Sequence, residues 1–143
     1  MRPPSSELFF YGTLMDGLVR AAVLGRELPV DTLIPATLAG WRRMCCSMRT
    51  YPVLVQAGGG RVNGLVARDL TPEDIRKLSR FEGPDYRLRR VIVALETGGA
   101  ASVRTFLPAS PLLAGERPWD YRLWRQRHRR AFLIHIERRG TAA

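Results

Sequence analysis

The chain has 143 residues, 45% of them hydrophobic, which suits one globular domain over 1–143. Such a chain can bury about 70% of its unfolded surface. No apolar run approaches a membrane span, and Met1-Arg2-Pro3-Pro4-Ser5-Ser6 lacks the apolar region of a signal peptide, so a cytoplasmic protein with no membrane partner is expected. The net charge of +10 points to an anionic partner such as nucleic acid, yet Lys77 is the one lysine among 23 basic residues. The arginines are scattered along the chain, a bias that codon composition produces as readily as binding.

Residues 1–6 are expected to be a flexible end, as are 140–143. Glu7-Leu8-Phe9-Phe10-Tyr11 is an apolar run of strand length that Gly12 ends. The loop Tyr11-Gly12-Thr13-Leu14-Met15 leads into a short helical pattern, Leu18, Ala21 and Ala22, with Asp16 as its cap. Backbone N–H groups of such a strand-to-helix loop can receive a carboxylate or phosphate oxygen. No Gly-Lys-Ser/Thr follows this loop or Gly58-Gly59-Gly60, which excludes a nucleotide P-loop.

From Asp31 to Arg68 the chain reads as short strands broken by Pro35, Gly40, Pro52 and the triple glycine, with Ala57 to Arg61 as a hairpin turn. Cys45 and Cys46 are adjacent, which suits neither an ordinary disulfide nor a CxxC motif, and packing is their expected role. Tyr51 precedes Pro52, which favours an extended backbone at a strand start.

Thr71 as N-cap, Pro72 at the first helical position, Asp74 closing a capping box and Gly83-Pro84 as the stop define a helix. Val91-Ile92-Val93-Ala94-Leu95 reads as a strand buried on both faces, and Gly98-Gly99 turns the chain into another at Ser102 to Leu107. Pro108 to Pro118 is either an ordered loop over a site or a mobile connection.

A closing helix capped by Asp120 places Trp124, His128, Ala131, Phe132, His135 and Ile136 on one docking face. His128 and His135 lack the i, i+4 spacing of a helical zinc pair, so neither a metal site nor a cofactor is expected. The Arg cluster from Arg122 to Arg139 on this helix is either a solvated face or a nucleic-acid surface. Many short strands with three helical segments predict an α+β fold, a small mixed β-barrel or strongly curved sheet with flanking helices.

One residue breaks the local rules. Ile75, Leu78 and Glu82 fall at i, i+3 and i+7, so the carboxylate shares a face with two aliphatic side chains. Desolvating it is costly, and a negative charge at a helix C-terminus opposes the macrodipole. Either Glu82 does chemistry or it pairs with Arg87 or Arg89.

Taken together, Tyr11-Gly12-Thr13-Leu14 after an apolar first strand, Tyr51-Pro52, Val62-Asn63-Gly64-Leu65-Val66, and Phe81-Glu82-Gly83 followed by Tyr86 and Arg89 resemble the gamma-glutamylcyclotransferase family in its AIG2-like branch. The resemblance covers about Leu8 to Phe132. It implies a compact β-barrel with flanking helices, a cavity at one end, Glu82 as the catalytic residue and Tyr11, Gly12, Thr13 and Leu14 as the substrate-binding loop. It also implies Tyr86 and Arg89 as site residues, whereas residue type alone makes Tyr86 equally a locally satisfied strand residue and Arg89 an ion-pair partner. The family often has Asp where this chain has Ser79.

The implied reaction releases an amine from a γ-glutamyl amide and closes the glutamyl part into 5-oxoproline. The substrate's own α-amine attacks its γ-carbonyl, so no protein nucleophile is required, and no nucleophile motif is found. One carboxylate can take the ammonium proton and then give it to the leaving nitrogen. Recognition of the leaving amine is expected to fall to variable loops such as Pro108 to Pro118. The alternatives are a non-catalytic small-molecule-binding module of the same fold and a basic nucleic-acid-binding protein.

Overall fold

The first strand, β1 (Leu8–Phe10), is apolar at all its positions because both of its faces are covered. Leu8 and Phe10 join a core shared with the helices, while Phe9 and the following Tyr11 join a second core of strand residues. This is the alternation a strand imposes on successive side chains.

The computed structural model describes residues 7–46, 52–109 and 114–141; residues 1–6, Tyr51 and residues 142–143 lie outside these. β1 pairs antiparallel with β3 (Pro52–Ala67) and parallel with β5 (Ala100–Pro108). β5 pairs antiparallel with β4 (Tyr86–Leu95), and β4 with β2 (Leu33–Cys46). The long β2–β3 ladder, from Leu33↔Ala67 to Cys45↔Pro52, returns to the start, so the five strands close into a barrel. Closure leaves no long free edge. Around it lie α1 (Gly17–Leu24), α2 (Pro72–Glu82), α3 (Tyr121–Arg127) and α4 (Arg129–Thr141). The α+β barrel with flanking helices is therefore the observed architecture.

Several local expectations are corrected. The triple glycine is not a hairpin turn: β3 runs through it, and the register moves from Ala39↔Arg61 to Trp41↔Gln56 across a bulge. A Cβ on Gly60 would lie 2.5 Å from the Trp41 carbonyl oxygen, so the strands approach here as only glycine allows. Pro35 and Gly40 likewise do not interrupt β2. β4 is not buried on both faces, since Ile92 is 70% exposed beside a buried Val93; a barrel wall covered outside only in part produces this alternation. The end of the 108–118 segment is a strand, β6 (Ala114–Pro118), added antiparallel to the far end of β2. The closing helix is two helices, broken at His128 with φ −126°.

Among the described residues no helix is long and apolar enough to cross a membrane.

Candidate active site

α2 is fixed at its start by local chemistry and at its middle by packing. The Thr71 side chain accepts from the Asp74 N–H at 3.0 Å, and the Asp74 carboxylate accepts from the Thr71 N–H at 2.9 Å, closing the capping box. Leu78, fully buried, seats the helix on the barrel, and Glu82 follows one turn later on the same face. Gly83, at φ +79°, ends the helix and donates its N–H to the Ser79 carbonyl at 3.1 Å.

Glu82 is half-buried in the wall of a cavity of about 990 Å³ between one end of the barrel and helices α1, α2 and α4. The surface it retains faces this cavity, while protein elsewhere withholds bulk water from the carboxylate. Burial pushes the carboxyl up from 4.5 to about 8. Among the described residues Glu82 forms no ion pair, and the two candidate partners, Arg87 and Arg89, are both exposed.

The loop after β1 supplies the facing wall through Tyr11, Gly12, Thr13 and Leu14. Thr13–Met15 form one 3-10 turn, closed by Met15 N–H to Gly12 O at 2.9 Å and Asp16 N–H to Thr13 O at 3.0 Å. The amides of Thr13 and Leu14 precede the first of these bonds and have no partner within the turn.

Tyr86 also lines the cavity, but its hydroxyl donates to the Pro52 carbonyl at 3.0 Å. The Tyr11 hydroxyl likewise donates to the Phe106 carbonyl. With both phenolic protons engaged on the backbone, these two tyrosines brace the barrel end, and the loop amides remain as donors toward a ligand. Arg89 is not brought to the site: it sits on β4 opposite Thr105, exposed and away from the cavity wall.

α4 presents Phe132 and His135 to the cavity, and His128 at the break before it lines the same wall, so part of the face read as a docking surface is a wall of the site. The described part of the 108–118 segment does not line it.

Asp16 was legible only as a cap. Buried, it accepts from the Val19 N–H at 3.1 Å as cap of α1, from the Tyr121 hydroxyl at 3.3 Å and from Arg129 at 3.2 Å. It thereby ties the loop to α3 and α4, contacts spanning more than a hundred residues that no local pattern carries. Asp16→Ala is expected to lower stability by about 1–2 kcal/mol, most of it from the lost cap, read as a lower urea midpoint at unchanged slope.

The site sits within a recognised sequence pattern: the family model for gamma-glutamyl cyclotransferase, AIG2-like, matches residues 8–126, which include both the loop and Glu82. The chain belongs to this family. Among AIG2-like relatives, AIG2-like protein C of Arabidopsis thaliana is 33% identical over 131 residues, covering 89% of this chain and 73% of that protein. Protein AIG2 C of the same plant is 30% identical over 135 residues, covering 92% and 79%. A solution structure of an Arabidopsis thaliana protein superposes with TM-score 0.69 at 28% identity, over 96% of this chain and 82% of that one. A structure described as gamma-glutamyl cyclotransferase superposes with TM-score 0.61 over 92% and 85%, and at 16% identity this likeness is one of fold.

Proposed function

We propose that the protein is a gamma-glutamyl cyclotransferase that releases an amine from a γ-glutamyl amide as 5-oxoproline forms. The observation that carries this reading is the Glu82 carboxyl, raised to about 8, in the same cavity as a loop of backbone donors. A carboxyl of that strength holds and releases protons near neutral pH, which an ordinary glutamate does not.

The Gly12, Thr13 and Leu14 amides receive the substrate's α-carboxylate and hold the glutamyl chain folded, with its amine against its own γ-carbonyl. Orienting two groups of one molecule in this way is worth up to ~7–11 kcal/mol of the barrier. Ionised Glu82 takes a proton from the α-ammonium, and the freed nitrogen bonds to the γ-carbon. Protonated Glu82 then gives that proton to the departing nitrogen as the old C–N bond breaks. The second proton that the ring nitrogen must lose to become a lactam N–H passes through Glu82 to the freed amine, which leaves as its ammonium form. Glu82 ends as it began, and the products are 5-oxoproline and a free amine.

The test is 5-oxoproline release, by mass spectrometry, from a panel of γ-glutamyl amines, γ-glutamyl amino acids and glutathione. Release from at least one member, with an equal amount of free amine, is the expected result. A panel left intact while the protein binds its members would favour a binding module instead.

A further inference from the structure

The loop that faces Glu82 has an unusual hydrogen-bond balance. All five carbonyls from Tyr11 to Met15 are taken: Tyr11 O by Arg43 Nη1 at 3.2 Å, Gly12 O and Thr13 O by the Met15 and Asp16 amides, and Leu14 O and Met15 O by Arg20 Nη1 at 3.0 and 2.7 Å. With its acceptors occupied from behind, the loop can turn only donors toward the cavity.

The two guanidinium groups are held in place by other contacts. Arg43 also donates to the Asn63 carbonyl at 3.3 Å and lies 5.7 Å from the centre of the Trp119 ring. Arg20 projects from α1, the helix that Asp16 caps. Among the described residues neither has a carboxylate within ion-pair distance. Desolvation is the main influence on each and lowers both below the ordinary guanidinium value, with Asp16 and Tyr121 opposing it at Arg20 and Asp120 at Arg43. Two cations short of counter-charge behind a row of amide donors favour an arriving anion.

We infer that Arg20 and Arg43 are positioning residues for the substrate's α-carboxylate, acting through the carbonyls of the 11–15 loop that they hold. The inference rests on the cyclotransferase reading. It adds that the carboxylate's affinity is set from outside the cavity wall, since neither arginine lines the cavity.

Arg20→Met, Arg43→Met and Arg20→Lys are compared with wild type on the panel substrate that is consumed. The Met variants are expected to raise KM about tenfold or more, as for loss of a charge-assisted bond, with a much smaller change in kcat. Arg20→Lys restores most of the loss, because an ammonium reaches the same carbonyls with the same charge. Inhibition by 5-oxoproline weakens with KM, while inhibition by 2-pyrrolidinone, the same ring without the carboxylate, stays unchanged. Arg20 is half-exposed on its helix, so Arg20→Met remains informative if Arg43→Met fails to fold. A fall in kcat at constant KM, or equal weakening of both lactams, overturns the inference and leaves the cyclotransferase reading standing. A wild type that neither consumes the panel nor binds 5-oxoproline overturns that reading, and the inference with it, before any substitution is made.

Discussion

Glu82→Gln is expected to lower turnover by about 10²–10⁴-fold while the protein stays folded. Gln matches Glu in volume and can occupy the same place at the end of α2, but it cannot carry a proton from the α-ammonium to the leaving nitrogen. The same substitution should raise stability, and the sign follows from the shift. A carboxyl at 4.5 when unfolded and about 8 when folded binds more protons in the folded state between those values, so stability falls as pH rises through that window. Gln has no such dependence. The variant should therefore melt above wild type at pH 9 and level with it at pH 4, by calorimetry at both. Loss of activity with gain of stability is the mark of a residue kept for chemistry at a cost to the fold.

Gly12→Ala is expected to lower kcat/KM by about 10–100-fold. A Cβ at Gly12 would stand 2.8 and 2.9 Å from Cγ and Cδ of Pro52, closer than carbon atoms pack. Pro52 has little freedom to yield, because it opens β3 and its carbonyl accepts from the Tyr86 hydroxyl at 3.0 Å. The loop must shift instead, carrying its amides away from the position proposed for the substrate carboxylate. A misplacement approaching 1 Å at a reacting pair can cost about 10²-fold. Steady-state kinetics beside a melting curve separate this from unfolding, and wild-type kinetics in a folded variant would show that the loop does not bind substrate.

What could be read in advance was whatever is encoded locally. The α2 helix was legible to the residue, because Thr71, Pro72, Asp74 and Gly83 act on their immediate neighbours. Glu82 was legible as an anomaly, since helix periodicity alone aligns it with Leu78. A small barrel or strongly curved sheet was legible in the many short strands, and the resemblance pointed to the barrel. The β2–β3 and β4–β2 pairings that close it were not legible, because they depend on contacts distant in sequence. The triple glycine was misread for the same reason: whether glycines turn a chain or widen a strand depends on the strand opposite, here Trp41. Arg20 and Arg43 carried no signal in a chain with so many arginines. Their roles emerge only when the loop carbonyls they hold are known. Arg89, suggested by resemblance, is exposed on β4 and does not line the cavity, which no motif of four or five residues could reveal.

The most direct test of Glu82 as the proton carrier is 5-oxoproline release between pH 5 and 9, for wild type beside Glu82→Gln, on the panel substrate that is consumed. Wild-type kcat/KM should climb on its acid side toward a midpoint near the about 8 of the Glu82 carboxyl, and the variant should stay at background throughout. A folded Glu82→Gln protein releasing 5-oxoproline at the wild-type rate would contradict the account.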